Sequence, residues 1–99
     1  MSQTHKLGKH ATSVYPITDK KGNLGTAVRY YSTVIVKVFN DRIELNSGGW
    51  RTATTKTRMN QAASQFGLDF IVTQRNFDWY VTTPDGKIID FLDGMEFSR

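Results

Sequence analysis

Between Thr55 and Phe66 the apolar residues are Met59, Ala62, Ala63 and Phe66. This is the i, i+3, i+4, i+7 spacing of a helix that buries one stripe, about three turns long. It is the one good helical pattern in the chain; the other apolar clusters alternate at period two, as strands do. One helix among many short strands restricts the fold to α+β, an antiparallel sheet with the helix lying on it. The joint between the two regimes is Leu45-Asn46-Ser47-Gly48-Gly49-Trp50-Arg51-Thr52-Ala53-Thr54-Thr55. Its glycines permit a turn closed to other residues, and Thr52 or Thr54 can cap the helix that follows. The simplest structural role for Trp50 is to anchor this loop in the core. Gly67 follows the last apolar position and is the natural C-cap.

Upstream of the joint, Val14-Tyr15-Pro16-Ile17-Thr18 is predicted as an edge strand, because Pro16 cannot donate to a central ladder. Asp19-Lys20-Lys21-Gly22-Asn23 has turn composition. From Thr26 to Phe39 the chain is strongly strand-like, with Val34, Val36 and Val38 on one face and Ile35, Lys37 and Phe39 on the other. Asn40-Asp41 marks a hairpin turn, and Arg42-Ile43-Glu44-Leu45 returns with Ile43 and Leu45 inward. Downstream, three strands form a meander. Leu68 to Gln74 buries Leu68, Phe70 and Val72; Arg75-Asn76 turns; Phe77 to Val81 buries Phe77, Trp79 and Val81 and leaves Tyr80 outward. Thr83-Pro84-Asp85-Gly86 is a β-turn before Lys87 to Phe91. Asp93-Gly94 turns again, and Met95-Glu96-Phe97 is a last short segment. Residues 1–13 hold little to bury and are predicted as a mobile basic arm, leaving residues 14–99 as a single domain.

The chain has 99 residues, of which 38% are hydrophobic and 12% aromatic, enough for one modest core. Cysteine is absent, which removes disulfides, thiolate metal sites and cysteine nucleophiles and fits a reducing, cytoplasmic setting. No apolar run approaches the roughly 20 residues of a membrane span. The net charge of +4 is unevenly spread: residues 1–39 carry +5, residues 40–67 carry +2, and residues 68–99 carry −3. A basic front half draws a protein towards polyanions, although charge of this size also serves solubility alone.

Signatures of catalysis are sparse. Both histidines, His5 and His10, fall in the predicted arm, so no rigid base serves a nucleophile. No phosphate-loop, dinucleotide-binding or metal-ligand spacing occurs, and no cofactor or metal is expected. Asp90 and Asp93 are near each other, but turn aspartates are far more often solvated turn formers than a Mg²⁺ pair. The expectation is a protein that is not an enzyme. Binding features are better represented. The helix N-terminus leaves backbone N–H groups for an anion, with Arg51, Thr52, Thr54, Thr55 and Lys56 around it. Aromatic residues beside basic ones (Arg29-Tyr30-Tyr31, Trp50-Arg51, and Trp79-Tyr80 after Arg75) suit base stacking, where each ring contributes roughly 1–3 kcal/mol. The candidate target- or phosphate-binding residues are Lys20, Lys21, Arg29, Arg51, Thr52, Lys56, Arg58 and Tyr80.

The run Asn46-Ser47-Gly48-Gly49-Trp50-Arg51-Thr52, continued by Thr54-Thr55-Lys56, Arg58 and Asn60 and followed by Trp79-Tyr80, resembles the core of small uncharacterised proteins of tailed bacteriophages. The resemblance spans roughly residues 32–82 and leaves residues 1–28 outside it. It implies a phage accessory protein in the cytoplasm of a bacterial host. Short phage proteins without catalytic groups often bind and disable host machinery, including CRISPR-type defence complexes; others bind DNA or RNA. The implied partner is a host protein or nucleoprotein complex, with direct nucleic-acid binding as the alternative and a phosphoester enzyme built on Asp90 and Asp93 as a weaker third.

Overall fold

A computed structural model describes residues 9–99. The elements run β1 (Thr12–Thr18), β2 (Leu24–Tyr30), β3 (Thr33–Val38), β4 (Arg42–Leu45), α1 (Ala53–Phe66), β5 (Ile71–Arg75), β6 (Asp78–Thr82), β7 (Ile88–Asp90) and β8 (Met95–Ser98). The class is α+β, with one helix and antiparallel strands, as the single helical pattern required. The strands divide between two sheets, one ordered β1-β2-β3-β4-β8 and one ordered β5-β6-β7. The last strand leaves the meander and returns to the first sheet, where Leu45 pairs with Met95 and Ile43 with Phe97.

The helix forms where its spacing placed it. Thr52 is the N-cap, its hydroxyl accepting from the Thr55 amide. Gly67 closes the other end in the left-handed region, φ 64°, donating to the Ala63 and Ser64 carbonyls. Met59, Ala62 and Ala63 are buried and Phe66 packs at the margin. They meet Val28, Val36, Ile43 and Leu45 of the first sheet and Val72, Trp79 and Val81 of the second, so one core lies between helix and both sheets. Among the described residues no helix is long and apolar enough to cross a membrane.

Several local expectations are corrected. The strand-like run from Thr26 to Phe39 is two strands, turned at Tyr31-Ser32. Ile35 faces the core together with Val36, because β2 and β3 slip register between Val28 and Arg29: Val28 pairs with Val36 and Arg29 with Val34. Ile35 is the extra residue of a bulge, which sends two successive side chains inward and breaks simple alternation. Strand β1 opens at Thr12, two residues inside the predicted arm; the Arg58 guanidinium donates to the Thr12 hydroxyl at 3.1 Å, and the Tyr31 amide to the Ala11 carbonyl at 2.8 Å. Residues 1–8 of that arm lie outside the described residues. Leu68, Phe70 and Val72 are buried as expected, but Asp69 has φ 59° and regular β5 begins only at Ile71.

Candidate functional site

Strand β5 runs antiparallel to α1. The Asn60 side chain bonds both backbone groups of Val72, and Lys56 Nζ donates to Gln74 Oε1 at 3.3 Å. The β5–β6 turn, Asn76-Phe77, therefore projects at the N-terminal end of α1. The joint 46–52 reaches the same end. So does the link after β7, where the Ser47 amide and hydroxyl both donate to Asp93 Oδ1 at 2.7 Å. The Arg51 guanidinium lies 5.1 Å from the centre of the Phe91 ring. With the β2–β3 turn, whose Tyr31 and Ser32 share a cleft with Trp50 and Thr52, four segments distant in sequence converge on one pole.

That pole exposes large apolar side chains. Trp50 is 67% exposed, Tyr31 60%, Leu92 64% and Phe77 90%. Two expectations are overturned here. Trp50 does not anchor the joint in the core; Ser47, only 1% exposed and held by Asp93, does that. Phe77 does not line up inward with Trp79 and Val81. It occupies the second position of a two-residue turn, with φ 52° at Asn76 and 72° at Phe77, between the paired residues Arg75 and Asp78. That is the geometry of a type I′ hairpin turn.

Trp50 and Tyr31 line one cleft of about 340 Å³ with Tyr30, Ser32, Thr33, Ile35, Ser47, Thr52 and Thr55. Its tyrosine side is held from behind. Tyr31 packs edge-on to Tyr30 at 4.8 Å and its hydroxyl is 3.0 Å from His10 Nε2, while the Arg58 guanidinium sits 5.5 Å from the Tyr30 ring centre. The loop below Trp50 is equally constrained. Gly48 has φ 63°, and a Cβ there would come within 2.6 Å of Thr33 Oγ1, so only glycine permits this approach.

The sequence-derived residues separate into groups. Arg51, Thr52, Lys56 and Arg58 surround the pole and its cleft, and Arg75 joins them beside the Phe77 turn. Lys20 and Lys21 lie in the β1–β2 turn, at the far end of β2 from Tyr31. They line a groove of about 680 Å³ on the other face of the first sheet with Lys37, Arg42, Glu44 and Glu96. There Asp19 accepts from the Lys21 and Asn23 amides, the Asn23 side chain and Arg42. The Asn23 amide and side chain, with Arg42 and Lys21, outweigh partial desolvation and bring the Asp19 carboxyl to about 2. Arg29 is also on that outer face, 5.9 Å from the Tyr15 ring centre. Tyr80 is half-buried on β6 between Thr73 and Asp90, away from the cleft.

The aspartates weighed as a cation pair do different things. Asp90 is exposed on β7, while Asp93 secures Ser47. Burial disfavours the Asp93 charge, but the Ser47 amide and hydroxyl and the Arg51 charge prevail and hold its carboxyl below the usual range. Among the described residues no three His, Cys, Asp or Glu side chains cluster to hold a metal ion. Sequence reasoning missed Leu92 and Phe77, and it named Tyr31 and Arg75 only in separate aromatic–basic runs. Only the convergence of the four segments gathers them.

The structure therefore defines a small antiparallel α+β protein with a braced aromatic cleft at the N-terminal end of its single helix. The chain belongs to the Kyanoviridae Gp96 protein family, whose model matches residues 1–98. It is a bacteriophage protein, in agreement with the phage resemblance of its central run, and the family match takes in residues 1–28 as well. No curated protein and no solved structure matches the chain.

Proposed function

We propose that this phage protein is a non-enzymatic accessory protein that binds and disables a host nucleic-acid-handling or defence complex, docking by the pole at the N-terminal end of α1. The observation that carries this reading is the gathering of Tyr31, Trp50, Phe77 and Leu92, all more exposed than buried, on one end of the molecule. Exposed Trp and Tyr flanked by Arg are the side chains that dominate binding energy when a partner covers them. Arg51, Lys56, Arg58 and Arg75 at the same end outnumber Asp78 and Asp93, so the surface suits an anionic partner. Membership of a phage family supports a host-directed role.

The test is capture from host lysate by the tagged protein, with and without nuclease. A stoichiometric host protein should be retained by the parent and lost by Trp50→Ala and Phe77→Ala variants that remain folded by circular dichroism. Recovery of no stoichiometric host protein under either condition would remove this reading.

A further inference from the structure

We infer that the cleft between Tyr31 and Trp50 receives an unpaired nucleobase, so that the component grasped within the target complex is single-stranded nucleic acid. The inference rests on the docking reading for its surface and adds the chemistry of the ligand. The cleft of about 340 Å³ lies at the small end of ligand sites, on the scale of one base with its sugar. Its lining joins two exposed aromatic rings from different segments, Tyr31 and Trp50, to the hydroxyl-bearing Ser32 and Thr33 and to the fully buried Ile35, Ser47 and Thr55. Flat apolar walls with hydrogen-bonding edges are what a base requires: its faces stack and its rim donates and accepts.

The Tyr31 side of the site is formed in advance. Tyr31 is fixed by Tyr30 at 4.8 Å, by His10 at 3.0 Å and through its amide by Ala11 at 2.8 Å. Its φ of 54° is uncommon for a residue with a side chain. Groups already immobilised lose little freedom when a ligand stacks on them. Charge complementarity selects the occupant. Arg51, next to Trp50 and packed on Phe91, and Lys56 and Arg75 towards Phe77 put positive charge at this end of the helix, which favours a phosphodiester backbone. A duplex keeps its bases stacked inside and cannot offer one to the cleft; a single strand can.

Intrinsic fluorescence provides the test, because the two tryptophans differ: Trp50 is 67% exposed and Trp79 is 3% exposed. Oligothymidylate, oligouridylate and a blunt duplex of equal length are titrated into the full chain at low and raised salt. The single strands should quench Trp50 emission, with an affinity that falls as salt rises. Trp50→Ala and Tyr31→Ala should each weaken binding, measured by anisotropy of a labelled strand, by about tenfold or more. Trp50→Phe should retain most of it, and circular dichroism reports that each variant is folded. Unchanged Trp50 emission at low salt, duplex binding as tight as single-strand binding, or undiminished binding by the alanine variants would each overturn the inference. If a host protein is captured after nuclease digestion while oligonucleotides leave Trp50 emission unchanged, the base site fails and the docking reading stands. Failure of both measurements removes both.

Discussion

Phe77 stands where glycine would be the comfortable residue. Both residues of its turn have positive φ, and for a residue with a Cβ that conformation costs roughly 1–2 kcal/mol. The ring is 90% exposed, so the folded protein recovers little of this by burial. Sites held against local preference are where function is expected. Phe77→Gly should therefore raise stability by about 1 kcal/mol in thermal or urea unfolding while weakening capture of the host partner. A variant that is more stable and captures undiminished would show that this ring serves no partner. The sequence concealed the residue for a physical reason. Phe77, Trp79 and Val81 alternate perfectly, and Asn76-Phe77 lacks the glycine that announces a type I′ turn, so the pattern drew Phe77 into the strand. Trp50 was concealed differently. A bulky ring beside two glycines resembles an anchor, but the actual anchor is Ser47, secured by an aspartate 46 positions away. No local window contains both partners.

At the scale of elements, the helix was legible, because its spacing and its C-cap are local, with the N-cap narrowed to Thr52 or Thr54 and found at Thr52. The β2–β3 hairpin was not: Tyr31-Ser32 carries no Gly, Pro or Asn, and the bulge at Ile35 is a property of pairing that period counting cannot detect. The β1–β2 turn was read correctly, and it carries a pH dependence. Asp19 has its carboxyl lowered from 3.8 to about 2, chiefly by the Asn23 amide and side chain. The unfolded chain therefore takes up this proton more readily than the folded one. The contribution of the turn is complete above pH 3.8 and is lost as pH falls from there towards about 2. Asp19→Asn should remove this part of the acid sensitivity, seen as a shallower fall of the urea midpoint across that window. Parallel loss in parent and variant would place the acid sensitivity elsewhere.

For the molecule as a whole, fold class followed from one helical period among strands, whereas the division into two sheets did not. Strand alternation says which face is buried but not which distant strand is the neighbour. The candidate surface was legible in part: Arg51, Thr52, Lys56 and Arg58 were singled out, and they do surround the pole. Lys20 and Lys21 were grouped with them by charge, and Arg29 also by its place before Tyr30-Tyr31; the lysines lie at the far end of β2, and strand alternation turns Arg29 to the outer face. One feature of that topology also governs time. Strand β8 pairs with β4 across the helix and the entire second sheet, Leu45 to Met95, a loop of about 50 residues whose closure costs on the order of 3 kcal/mol of chain entropy. Such long-range pairing is rewarded only after the enclosed segments have condensed. In stopped-flow measurements, Phe97→Ala should speed unfolding while leaving the refolding rate nearly unchanged, the signature of a contact made after the rate-limiting step. A variant that slows refolding instead would put β8 in the nucleus. On this order of assembly the first sheet spends its early life with β4 as a bare edge, and the seam that completes it is the first to part when the protein unfolds.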